Sequence, residues 1–108
     1  MMRAEVIQSE INRILEIANQ DKSVVRVVLF GSSAQAGQIH EESDIDLCIV
    51  QNTALRFYDR LAEWIDRIQP QIGLDLVVYT PAEFSKLCDN NYFVSEQIAH
   101  KGIEIYAA

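Results

Sequence analysis

Asp44 and Asp46 flank Ile45 at the head of an apolar run that continues to Val50, and Asp75 lies between Leu74 and Leu76 at the head of another. Carboxylates set in otherwise hydrophobic strands are costly to bury unless compensated, and a divalent cation is the usual compensation. Residues two apart on a strand face the same way with Cα atoms about 6.5 to 7 Å apart. Asp44 and Asp46 can therefore converge on one metal, or on two metals about 3.5 to 4 Å apart. Asp75 can add a third carboxylate if its strand lies beside theirs. An earlier apolar run closes on Gly31-Ser32. There glycine permits close backbone approach, and the Ser32 hydroxyl and following amides, including that of Ser33, can donate to phosphate oxygens at a helix start. Mg²⁺ takes oxygen ligands in an octahedron and commonly shares them among carboxylates, phosphates and water. Three aspartates and a nucleoside triphosphate meet that demand.

The elements that must position these residues are legible from periodicity. Ile7, Ile11, Ile14, Leu15 and Ala18 recur at helical spacing over 4–20, with Glu5, Glu10, Arg13 and Glu16 opposite. Residues 24–30 are β-branched and apolar, stopped by Gly31, and predict a strand apolar on both faces. The small polar segment 32–37 is expected to form a short helix, and 44–50 a second strand with Ile45, Leu47 and Ile49 facing the core. Asn52-Thr53 can cap a helix carrying Leu55, Tyr58, Leu61, Ala62, Ile65 and Ile68 on one face and ending before Pro70. A third strand covers 74–79. Thr80-Pro81-Ala82-Glu83 combines a cap, a proline at the first helical position and a glutamate three residues after the cap. A last helix over 91–101 stops at Gly102, followed by a short strand over 103–106.

This order predicts a small α/β (α+β) fold with helices packed on a mixed sheet. If the Gly31 end of the first strand and the Asp44 end of the second share a site, those strands run antiparallel. Asp44 and Asp75, both near strand starts, imply parallel neighbours.

Composition bounds the function. At 108 residues, 49% hydrophobic, the chain closes one core, so a single domain over 1–108 is expected. A formal charge of -7 argues against broad, sequence-independent contact with nucleic acid and is easier to reconcile with a basic protein partner. Two cysteines, Cys48 and Cys88, without a signal peptide suggest reduced thiols in a cytoplasmic protein. No apolar stretch approaches the length of a membrane span.

The stretch Phe30-Gly31-Ser32, then Ser43-Asp44-Ile45-Asp46-Leu47, then Leu74-Asp75-Leu76 resembles the signature of the polymerase β-type nucleotidyltransferase superfamily. Within it, the chain is most similar to the minimal nucleotidyltransferases, which often pair with a HEPN-domain partner as the antitoxin of a toxin–antitoxin system. Pro81-Ala82-Glu83-Phe84 and Gly102-Ile103-Glu104-Ile105-Tyr106 also look familial, so the likeness extends over most of the chain.

The resemblance implies Mg²⁺-dependent transfer of AMP from ATP to a hydroxyl acceptor, with release of pyrophosphate. Gly31 and Ser32 would hold the triphosphate, Asp44 and Asp46 would bind two Mg²⁺ ions, and Asp75 would bind the catalytic one and help deprotonate the acceptor. In family antitoxins that acceptor is a tyrosine of the partner toxin. Many relatives carry arginines just after the glycine-serine turn, where this chain has Ser33-Ala34-Gln35-Ala36-Gly37. Neutralising the triphosphate would then rest on the metals and on Arg56, Arg60 or a residue lent by a partner.

Simpler readings stand beside these. A lone Asp-x-Asp on a strand is most often a solvated edge or a cap, and Gly31 alone is a strand terminator. His40 and Glu41-Glu42 read as an exposed loop, and His100 as helix-end electrostatics. Tyr58 and Trp64 are expected in packing, and Tyr79, on the Asp75 face, is the candidate site-side aromatic. The competing class is a non-catalytic antitoxin that covers a HEPN ribonuclease, and the acidic balance suits both. Adenylylation of a small molecule ranks lower, because relatives doing that carry an additional acceptor domain. Exposed apolar residues on the first or last helix could mediate homo-oligomer formation or partner docking, and the helical stripes alone do not separate these from core packing.

Overall fold

The computed structural model describes residues 3–31 and 45–108. Their elements run α1 (Arg3–Asn19), β1 (Val24–Phe30), β2 (Ile45–Gln51), α2 (Phe57–Ile68), β3 (Leu74–Tyr79), α3 (Pro81–Asn90), α4 (Phe93–His100) and β4 (Ile103–Ala107). The strands form one sheet in the order β3-β2-β1-β4. Strand β1 pairs antiparallel with both β2 and β4, while β2 and β3 run parallel, so the sheet is mixed as expected. The segment 32–37, expected as a short helix, lies outside the described residues.

Alternation along the strands packs two hydrophobic clusters, one on each face of the sheet, where a single core was expected. One face sends Val27, Leu29, Ile45, Leu47, Ile49 and Val78 against α1 and α2, where Ile7, Ile11, Ile14, Trp64 and Ile68 meet them. The other sends Val28, Phe30, Cys48 and Val50 against Phe84 of α3 and Val94 and Ile98 of α4. Register shifts between Val24 and Arg26, so Val25 is the extra residue of a bulge in β1. Arg26 is not apolar as the strand pattern required: its Nε lies 2.6 Å from Glu104 Oε1, and its guanidinium stands 5.3 Å from the centroid of Phe84. Gly102 admits no side chain, because a Cβ there would meet Ile98 O at 2.2 Å and Val28 Cγ1 at 2.6 Å. This close approach brings the end of α4 onto β1.

Helix α2 departs from its expected face. Arg60, Trp64 and Ile68 are its buried residues, whereas Tyr58 is 80% exposed, Leu55 and Ile65 are exposed, and Leu55 precedes the helix. Trp64 decides the rotation, since its large ring enters the core and its Nε1 finds a buried acceptor in Gln51 Oε1 at 2.9 Å. Gln51 Nε2 donates to Ser23 Oγ, which donates to Asp21 Oδ1, and Arg67 closes the chain on Asp21 Oδ2 while lying over the Trp64 ring. Thr53 caps no helix but accepts from Leu55 N in a local turn. The capping box at Thr80 and Glu83 forms as read.

Candidate active site

Three strand ends deliver the candidate residues to one place. Phe30, at the end of β1, pairs across the ladder with Asp46, near the start of β2, and Asp46 pairs in turn with Asp75 of β3. Adjacent strands lie about 4.8 Å apart, so the two aspartates are neighbours. They share the sheet face of Cys48 and Val50 and of Val77 and Tyr79, the α3 and α4 side. A cavity of about 570 Å³ opens there, lined by Phe30, Gly31, Asp46 and Asp75 and by Leu76, Val77, Phe93 and Gln97.

Asp44, Ser32 and Ser33 lie outside the described residues, and so do His40, Glu41 and Glu42. Among the described residues, no three histidine, cysteine or acidic side chains gather at one point. The described pair is Asp46 with Asp75. Asp75 is exposed and Asp46 half-buried, so the argument that burial demands a compensating cation does not apply to them. Their convergence carries the case instead: two hard oxygen donors on adjacent strands, facing one cavity, suit a Mg²⁺ ion.

Gly31 has φ +62°, and a Cβ on it would stand 2.3 Å from Asp46 Oδ2. The glycine therefore serves two needs, a left-handed turn after β1 and room for the Asp46 carboxylate. The start of β3 is held from the opposite side of the sheet. Arg13 of α1 donates to the carbonyls of Ile68 and Gln69 at the end of α2, and Glu10, buried beside it, accepts from Gln71 N at 2.7 Å. Gln69 itself turns with φ 49°, and Gly73 O accepts from Ile45 N at 2.9 Å, which ties the turn before Asp75 to the strand carrying Asp46.

The cations expected near the triphosphate are elsewhere. Arg60 is 7% exposed and fully engaged: Nε donates to Leu55 O, and Nη1 to Val78 O and to Glu83 Oε1 at 2.7 Å. It pins α2, β3 and α3 together around the sheet edge and is not free to meet a phosphate. Arg56 does not line the cavity either. No lysine or arginine does, and residues 32–44 contain none. Tyr79 is also displaced from its expected role. It shares the Asp75 face but lies four residues along the strand, about 13 Å away. There it lines a separate cavity of about 350 Å³ with Phe57, Glu83 and Lys86. Burial pushes its hydroxyl pKa up.

Phe93 and Gln97 are the lining residues that sequence reasoning missed. The available signal was phase: Val94 and Ile98 are the buried stripe of α4, and Phe93 and Gln97 sit one residue ahead of each. Helix α4 is wound in π fashion, with Lys101 N donating to Glu96 O five residues back at 3.0 Å.

Comparison with known proteins agrees with this fold. No curated protein matches the chain. In fold it is similar to a crystal structure of a candidate nucleotidyltransferase from Sulfolobus solfataricus, at 20% identity and a TM-score of 0.59, covering 94% of this chain and 86% of that one. The profile of the polymerase beta nucleotidyltransferase family matches residues 12–108. The chain belongs to that family.

Proposed function

We propose that this protein transfers AMP from ATP to a hydroxyl, a tyrosine of a HEPN-domain toxin, and acts as its antitoxin. One observation carries the catalytic part: Asp46 and Asp75 are paired in register at the cavity beside the Gly31 turn. Asp44, Asp46 and Asp75 would hold two Mg²⁺ ions, and Gly31, Ser32 and Ser33 would receive the triphosphate. When bound, the metal neutralises phosphate charge and lowers the pKa of the attacking hydroxyl. Asp75, the exposed carboxylate, takes the acceptor proton. The acceptor oxygen bonds to the α-phosphorus, the bond to the bridging oxygen breaks, and pyrophosphate leaves. The rest is positioning, the main protein contribution in phosphoryl-type transfer.

One feature supports a second reading. Among the described residues no cationic side chain lines the cavity, so the chain can also serve as a non-catalytic cover for a basic ribonuclease, to which its net charge of -7 draws it. Incubation with Mg²⁺, labelled ATP and the product of the neighbouring gene separates the two. Covalent AMP on the partner, lost in Asp46→Asn and Asp75→Asn and on chelation, supports transfer. Tight binding without label supports the cover, and transfer that survives both substitutions contradicts the assigned roles.

A further inference from the structure

Helix α4 contributes Phe93 and Gln97 to the cavity that Asp46 and Asp75 line. Phe93 meets buried Phe30 edge-to-face, with ring centroids 5.7 Å apart and planes at 87°, which fixes its ring while 47% of the residue stays exposed. Gln97, one helical turn on, also lines the cavity, and its carboxamide makes no hydrogen bond among the described residues. Residues four apart are neighbours on one helix face, so ring and carboxamide face the same space. A cavity of about 570 Å³ is within the usual range for small-molecule sites. An aromatic platform beside a carboxamide with no partner among the described residues, in a cavity that two carboxylates also line, is the layout for a nucleobase.

Resting on the nucleotidyl-transfer reading, we propose that Phe93 and Gln97 form the nucleobase subsite and that Gln97 selects adenine. The base stacks on Phe93, an interaction tolerant of base identity. The Gln97 carboxamide then offers one acceptor and one donor, which match adenine N6 and N7. Guanine presents two adjacent acceptors, O6 and N7, which a carboxamide cannot satisfy together but a guanidinium can.

The test is equilibrium binding of non-hydrolysable ATP and GTP analogues and of inorganic tripolyphosphate, all with Mg²⁺, to the wild-type protein and to Phe93→Ala, Phe93→Trp and Gln97→Arg. Thermal melts verify folding. Stacking of this kind is worth about 5- to 150-fold in affinity. Phe93→Ala is expected to weaken the ATP analogue by that factor and leave tripolyphosphate unchanged, Phe93→Trp to restore binding, and Gln97→Arg to favour the GTP analogue. Unaltered nucleotide affinity and base preference in Phe93→Ala and Gln97→Arg, with tripolyphosphate still bound, overturn this subsite alone. Absence of tripolyphosphate binding to the wild-type protein overturns the transfer reading and the subsite with it.

Discussion

Gly31 and Asp46 are sterically coupled: the only side chain that position 31 can carry without striking the Asp46 carboxylate is a hydrogen atom. Gly31→Ala would force the carboxylate aside and add a left-handed non-glycine residue, a conformation disfavoured by about 1–2 kcal/mol. Because misplacement of a positioning group by about 1 Å lowers rate by about 100-fold, AMP transfer should fall at least that far. Turnover and a thermal melt, measured together, check it. A melt lowered with transfer intact would show that Asp46 has no positional role.

Arg60 is expected to matter for folding and not for nucleotide. Arg60→Met leaves Glu83 and the carbonyls of Leu55 and Val78 without their donor, which should destabilise by about 1–3 kcal/mol while Mg²⁺-dependent nucleotide binding is unchanged. Denaturant titration and nucleotide titration separate the two effects.

The same pair predicts a pH dependence. Hydrogen bonding from Arg60 holds the Glu83 carboxyl below its usual 4.5, against the opposing effect of burial. A depressed carboxylate contributes stability that is full above the unfolded value and is lost as pH falls through the folded one. The contribution of Glu83 should therefore begin to decline near pH 4.5 and be lost as pH falls through its lower folded value, and the stability of Arg60→Met should fall less steeply there. Melts between pH 6 and pH 3, at roughly constant ionic strength, test this. Parallel slopes for both proteins would refute it.

Gln51→Leu should be more disruptive than its apolar character suggests. Trp64 Nε1 would lose its buried acceptor and Ser23 Oγ its donor, at about 1–3 kcal/mol. Urea unfolding with Trp64 fluorescence as the probe reports the change directly.

Cys48 should resist alkylation. Burial pushes its thiol up to about 12 from 9.0, partly offset by the charge of Arg26, so its thiolate fraction is about a thousandfold smaller than that of an unperturbed thiol. Iodoacetamide at pH 8 is expected to label Cys88 in the folded protein and both cysteines in denaturant, read by mass spectrometry.

Strand positions, the mixed pairing and the neighbouring placement of Asp46 and Asp75 were all legible in the residues. Strand period is two, the apolar runs were short and cleanly stopped, and the shared-site condition left one relative direction for each strand pair. The capping box at Thr80 was equally plain, being a local hydrogen-bond pattern. Helix α2 was less readable, because adjacent apolar stripes differ by a small rotation and only the Gln51 acceptor for Trp64 chose between them. The engagement of Arg60 by Glu83 and the arrival of Phe93 and Gln97 at the cavity could not be read locally. Each joins residues far apart in the chain, and such contacts depend on how helices settle on the sheet. Sequence alone thus determined the strands and the candidate carboxylates on them. Tertiary packing decided which side chains surround that pair, since only side-chain volume and buried hydrogen bonding set the rotation and reach of the helices.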